Sequence, residues 1–192
     1  LLNAALQGLE WGSPAARNVL AGIVALLGLA LLASMTSAYR LRTVPAWDRW
    51  TTPAAFLITA CLLGGLGVGV ALGVPSGISS ELLGAARQWI ALGAIVLLSL
   101  DLLVSLIWIA GMSAAPGAAS RAAARITQER PTIFRARLAL TVAATIVSGA
   151  ALTPWGEGVR ASAAIALAFG LVLLAEALGR VLFYEARVRH GV

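Results

Sequence analysis

The sequence predicts an all-α fold, a polytopic transmembrane bundle of about five spanning helices plus the end of a preceding helix. Three observations predict it. Of the 192 residues, 60% are hydrophobic and only 11% charged, and the mean hydropathy is +0.92. A soluble domain of this length needs far more charge to cover its surface. The apolar residues gather into runs of about 20, and at roughly 1.5 Å per residue such a helix crosses the hydrocarbon core of a bilayer. Finally, all fourteen basic residues are Arg. They lie between the apolar runs, a placement that marks membrane borders and not a nucleic-acid surface.

Residues 1–11 read as the tail of an earlier helix, so the chain is expected to be the C-terminal part of a longer one, folded as a single bundle over 1–192. Ser13-Pro14 reads as a helix start, because Ser caps and Pro suits the first turn. The five spans are expected at about 19–39, 53–74, 88–111, 132–152 and 159–184. The first two carry no charge, and the third carries only Asp101. A polar connection with Pro75, Ser76, Ser79, Ser80 and Glu81 separates the second from the third. An Ala- and Arg-rich loop, with a short surface helix at 118–128, separates the third from the fourth. The uncharged part of the fourth is only 138–152, so Arg135 and Arg137 are expected to snorkel to the headgroups. No strand alternation competes, since a spanning segment must satisfy its own backbone hydrogen bonds.

Eleven Arg fall on one side of this topology and three, Arg17, Arg87 and Arg160, on the other. By the positive-inside rule the eleven-Arg side is cytoplasmic. Trp47, Trp50 and Trp155 stand at helix ends, as an aromatic belt would place them. Cys61 is the only Cys and His190 the only His. An internal disulfide, a zinc or iron–sulfur site and bis-histidine haem ligation within the chain are thereby excluded. No catalytic or metal centre is expected, and a redox role must draw on a partner's centres or on a dissociable organic carrier.

Three features stand out inside the spans. Gly65, Gly69 and Gly73 share one face of the second helix, either for close helix packing or as a groove for a flat ring or lipid tail. Asp101 is an isolated acid that needs a partner, a proton or water. It is either structural or a proton acceptor in a relay or near a quinol. Glu176, Arg180 and Tyr184 follow at i, i+4 and i+8, either as a self-neutralising pair that fixes the last helix or as part of a polar cleft.

Tyr39-Arg40-Leu41-Arg42-Thr43-Val44-Pro45-Ala46-Trp47, running into Thr52-Pro53 and an apolar helix with Leu63-Gly64-Gly65, resembles the membrane anchor subunit of the dimethyl sulfoxide reductase family. So does Glu176-Ala177-Leu178-Gly179-Arg180-Val181-Leu182-Phe183-Tyr184, with a weaker echo in Phe134-Arg135-Ala136-Arg137-Leu138. The resemblance covers most of the chain and matches the last five of that family's eight helices. It implies a subunit, not itself the catalyst, that holds an iron–sulfur subunit and a molybdopterin subunit at a bacterial inner membrane in anaerobic electron transport. It also implies exchange with menaquinone or ubiquinone and no haem. Related anchors serve sulfite dehydrogenases. The family's quinone-associated residues lie in the earlier helices, so none is carried over. The residues expected at a quinone cleft or docking surface here are Arg42, Trp47, Asp101, Glu176, Arg180 and Tyr184. The alternatives are a small transporter or channel, for which no inverted repeat is visible, and a purely structural anchor. Partners are protein subunits and lipid, not nucleic acid.

Overall fold

The computed structural model describes residues 13–40, 44, 46–73, 80–153 and 159–187. Residues 1–11, the 75–79 connection, Trp155, His190 and Arg42 lie outside the described residues. Every regular element among the described residues is helical, and five helices are long and apolar enough to cross a membrane. The chain divides into two compact units, residues 1–39 and 40–192.

The first unit contains α1, Pro14–Tyr39. Ser13 caps it, its Oγ accepting from the Ala16 N–H at 3.3 Å, and Pro14 occupies the first turn, where its missing N–H costs no hydrogen bond.

The second unit contains α2 (Thr51–Ala71), α3 (Ser80–Ser113), α4 (Ala118–Ala124), a π-helical turn (Arg125–Glu129), α5 (Pro131–Ala150) and α6 (Val159–Glu185). The four long helices pack in a ring, α2 between α3 and α6, and α5 between α3 and α6. Leu62, Leu66, Ala91, Ala94, Leu98, Ala144, Ile165, Ala168 and Val172 form the core at one end. Its many alanines let the backbones approach closely. At that end Gly69 makes room for its neighbours: a β-carbon there would lie 2.7 Å from Ile165 Cγ2 and 3.1 Å from Ile90 Cγ2. Gly73 meets Ser162 in the same way, at 3.2 Å. Gly65 departs from the expected packing stripe, since a β-carbon there meets nothing within 4 Å. It lines an apolar groove between α2 and α3 with Cys61, Trp89 and Gly93.

The helix expected from residue 88 begins at Ser80 and runs for 34 residues. Glu81 sits in its first turn, where an acid favours the helix dipole. Arg87 Nη2 donates to the Leu72 carbonyl at 3.5 Å, tying this extension to the exposed C-terminal carbonyls of α2. The short helix after α3 is not a surface element throughout. Ala118, Ala119, Ala122, Ala123 and Ile126 are buried. It starts at Gly117, whose φ of 76° falls in the left-handed region that a side chain disfavours. Arg125 and Arg130 both reach Glu185 at 3.7 Å, fastening this connection to the end of α6.

Candidate functional site

At the end of the second unit away from the alanine-rich core, a cavity opens among four helices. Helix periodicity builds it. Thr52, Ala55, Phe56 and Thr59 line it from α2, Asp101, Val104, Ser105 and Trp108 from α3, and Glu176, Gly179, Arg180 and Phe183 from α6. Each quartet is spaced i, i+3, i+4, i+7, one face of an α-helix. Phe134 and Arg137 complete the wall from α5.

Asp101 is 4% exposed. Its partner is Arg137, whose Nη2 donates to both carboxylate oxygens at 3.1 and 3.2 Å. Nη1 of the same guanidinium donates to Ser105 Oγ at 2.7 Å. Arg137 therefore turns inward and does not snorkel as expected. A buried acid on the facing helix offsets part of the cost of keeping the guanidinium inside, because each charge compensates the other. The guanidinium passes over Gly179 on α6, where a β-carbon would lie 2.8 Å from Nε and 3.3 Å from Cζ. Gly111 clears the way for Arg49 in the same manner, a β-carbon there lying 2.8 Å from Nη1.

Glu176 and Arg180 do not form the ion pair that their spacing suggests. Among the described residues neither takes part in a salt bridge. Glu176 Oε2 accepts instead from Thr59 Oγ1 on α2, at 2.9 Å. The Arg180 guanidinium lies over the Phe56 ring, 4.3 Å from its centroid, a cation–π contact. Both side chains reach across to a neighbouring helix, and that inter-helix partnering replaces the local pair.

Trp47 is not part of an aromatic belt. It is 6% exposed. Its ring stacks on Phe183 with centroids 5.0 Å apart and planes 6° apart, and its Nε1–H donates to the Phe183 carbonyl at 2.9 Å. Trp108 Nε1–H donates to the Ala46 carbonyl at 3.0 Å, and Thr52 Oγ1 donates to the Trp47 carbonyl at 2.7 Å. The short segment before α2 is thereby sewn to α3 and α6 at the rim of the cavity. Tyr184 stands beside it, edge-on to Trp47 and Phe183. Trp50 is 61% exposed, as a membrane-border residue would be.

The model of the DMSO reductase anchor subunit family (DmsC) matches residues 5–186, nearly the whole chain. The chain belongs to the DMSO reductase anchor subunit family. Comparison with curated proteins and with solved structures gives no match. As an anchor-subunit member with five apolar helices of spanning length, the chain is a multi-pass membrane protein.

Of the residues expected at a cleft in this anchor subunit, Asp101, Glu176 and Arg180 line one cavity, and Trp47 and Tyr184 stand at its rim. Arg42 lies outside the described residues. Sequence reasoning missed Arg137, Ser105, Thr59, Phe56 and Gly179. A signal for Arg137 was present: an acid alone in one apolar span calls for a cation in another, and Arg137 stands two turns inside α5.

Proposed function

We propose that this chain is the quinone-exchanging membrane anchor of a molybdopterin oxidoreductase. It holds an iron–sulfur subunit and a molybdopterin catalytic subunit at the bacterial inner membrane, in a dimethyl sulfoxide reductase-like or sulfite dehydrogenase-like complex. Family membership supports the anchoring role. The observation that supports quinone exchange is the cavity lining, in which Phe56, Trp108, Phe134, Leu182 and Phe183 stand beside converging polar groups, among them Thr59, Ser105, Glu176, Arg180 and the Asp101–Arg137 pair. That mixture suits a flat ring carrying two oxygen substituents, the ring against Phe56, Phe134 or Phe183 and an oxygen at a hydroxyl or carboxylate. The chain itself supplies binding and proton handling, and the electrons belong to the carrier and the partner subunits.

The test is purification of the tagged chain from native membranes. Iron and molybdenum are expected to co-purify in fixed ratio, and the complex is expected to turn over with a quinol or quinone. A homo-oligomer free of both metals would overturn the proposal in favour of a transporter or channel.

A further inference from the structure

Two carboxylates line the same cavity, and their surroundings divide them. Both oxygens of Asp101 are taken by Arg137 Nη2, and the side chain is 5% exposed. Glu176 uses Oε2 to accept from Thr59. Its other oxygen, Oε1, has no hydrogen-bond partner among the described residues, and it is not among their sealed, unpartnered polar atoms. The charged groups that face Glu176 are Asp101 from α3, Arg137 from α5 and Arg180 from α6. None of them pairs with it: Arg137 is committed to Asp101 and Arg180 to the Phe56 ring. Helix α2, which supplies Thr59, carries no charged residue.

We infer that Glu176, through Oε1, is the group that exchanges protons with the cavity's occupant, and that Asp101 is a fixed counter-charge holding Arg137 in place. The inference rests on the quinone reading of the cavity. A quinol that is oxidised there loses two protons and two electrons. Each hydroxyl proton in turn passes to Glu176 Oε1, the O–H bond of the ring breaking as one forms on the carboxylate, and then leaves for bulk water. The two electrons pass to the iron–sulfur subunit. Quinone reduction runs the same exchanges backwards. Thr59 orients the carboxylate, since its hydroxyl donates to Oε2 and leaves Oε1 without a hydrogen bond among the described residues. Asp101 cannot serve in this way without releasing the guanidinium that spans α3 and α5.

The test uses the assembled complex with two electron donors, a quinol and a viologen dye that feeds the iron–sulfur subunit directly. Glu176→Gln keeps the size of the side chain and an oxygen for Thr59. It should lower quinol-driven turnover by about 100-fold or more, the usual contribution of a positioned acid or base. Dye-driven turnover and metal content should stay unchanged, a fluorescent hydroxyquinoline N-oxide should still bind measurably, though more weakly, and Glu176→Asp should restore part of the rate. Quinol-driven turnover of the Gln variant within a few-fold of the parent would overturn the inference.

A second measurement needs no variant. A membrane-soluble carbodiimide adds only to a carboxyl group that carries a proton. Peptide mass spectrometry should find the adduct on Glu176 and not on Asp101, and the hydroxyquinoline N-oxide should prevent it. An adduct on Asp101, or none on Glu176, overturns the assignment. A complex that binds no hydroxyquinoline N-oxide at all contradicts the quinone reading itself, whereas binding without protection of Glu176 contradicts only this inference.

Discussion

Arg137 lays one guanidinium nitrogen between the two carboxylate oxygens of Asp101, 3.1 and 3.2 Å away, and so joins α5 to α3 within the membrane. The contact lies between side chains only 12% and 5% exposed. Breaking such a pair from one side leaves a charge with no partner, which costs about 3–5 kcal/mol, whereas removing both partners is often close to neutral. Asp101→Leu and Arg137→Leu are each expected to lower membrane yield and the melting temperature in detergent. Asp101→Leu combined with Arg137→Leu should recover much of both. Additive losses in this double-mutant cycle would show that the two residues do not depend on each other.

The glycine face of α2 separates into two behaviours. Gly69→Leu drives a side chain into Ile165 and Ile90, and overpacking of this kind typically costs about 1–3 kcal/mol. Gly65→Leu enters the open groove beside Cys61 and Trp89 and should leave the detergent melting temperature nearly unchanged. Equal effects of the two would contradict the packing described here.

Removing the indole N–H of Trp47 isolates one stitch at the cavity rim. Trp47→Phe retains a ring to stack on Phe183 but removes the indole N–H that donates to the Phe183 carbonyl, a change worth about 1 kcal/mol. A lower melting temperature together with a weaker affinity for a hydroxyquinoline N-oxide is expected. Unaltered values for both would assign the stacking, not the hydrogen bond, the task of holding the rim.

The side of the membrane is testable in a Cys61→Ala background. Ser120→Cys lies with the eleven Arg, and Val159→Cys, at a position 85% exposed, lies at the opposite end of the topology. An impermeant thiol reagent added outside cells should label Val159→Cys and spare Ser120→Cys. The reverse pattern would invert the orientation.

The spanning helices were legible in the sequence because length and apolarity alone define them, and Ser13-Pro14 marked the start of α1 to the residue. Their lengths outside the hydrocarbon were less legible. Ser80 and Glu81 read as loop residues, yet a helix carries its own hydrogen bonds into the polar region, and nothing between Glu81 and Arg87 stops it. At the site, residue types were legible but partners were not. Glu176 and Arg180 invite a local i, i+4 pair, while Thr59 and Phe56 on α2 supply competing contacts that no spacing within α6 reveals. Asp101 announced that it needed a partner, but only the ring order of α2, α3, α5 and α6 brings Arg137 to it.

Gly179 carries a consequence for how such a chain can diverge. Its missing β-carbon is the space that the Arg137 side chain occupies, so positions 179 and 137, far apart in the sequence, are sterically coupled. A lineage cannot gain a side chain at 179 while the long cation remains, nor lose the cation while Asp101 is still an acid. Loss of either charge alone is the costly step, so 101 and 137 change together before 179 opens. A sequence that carries Ala at 179 should therefore already have given up both charges.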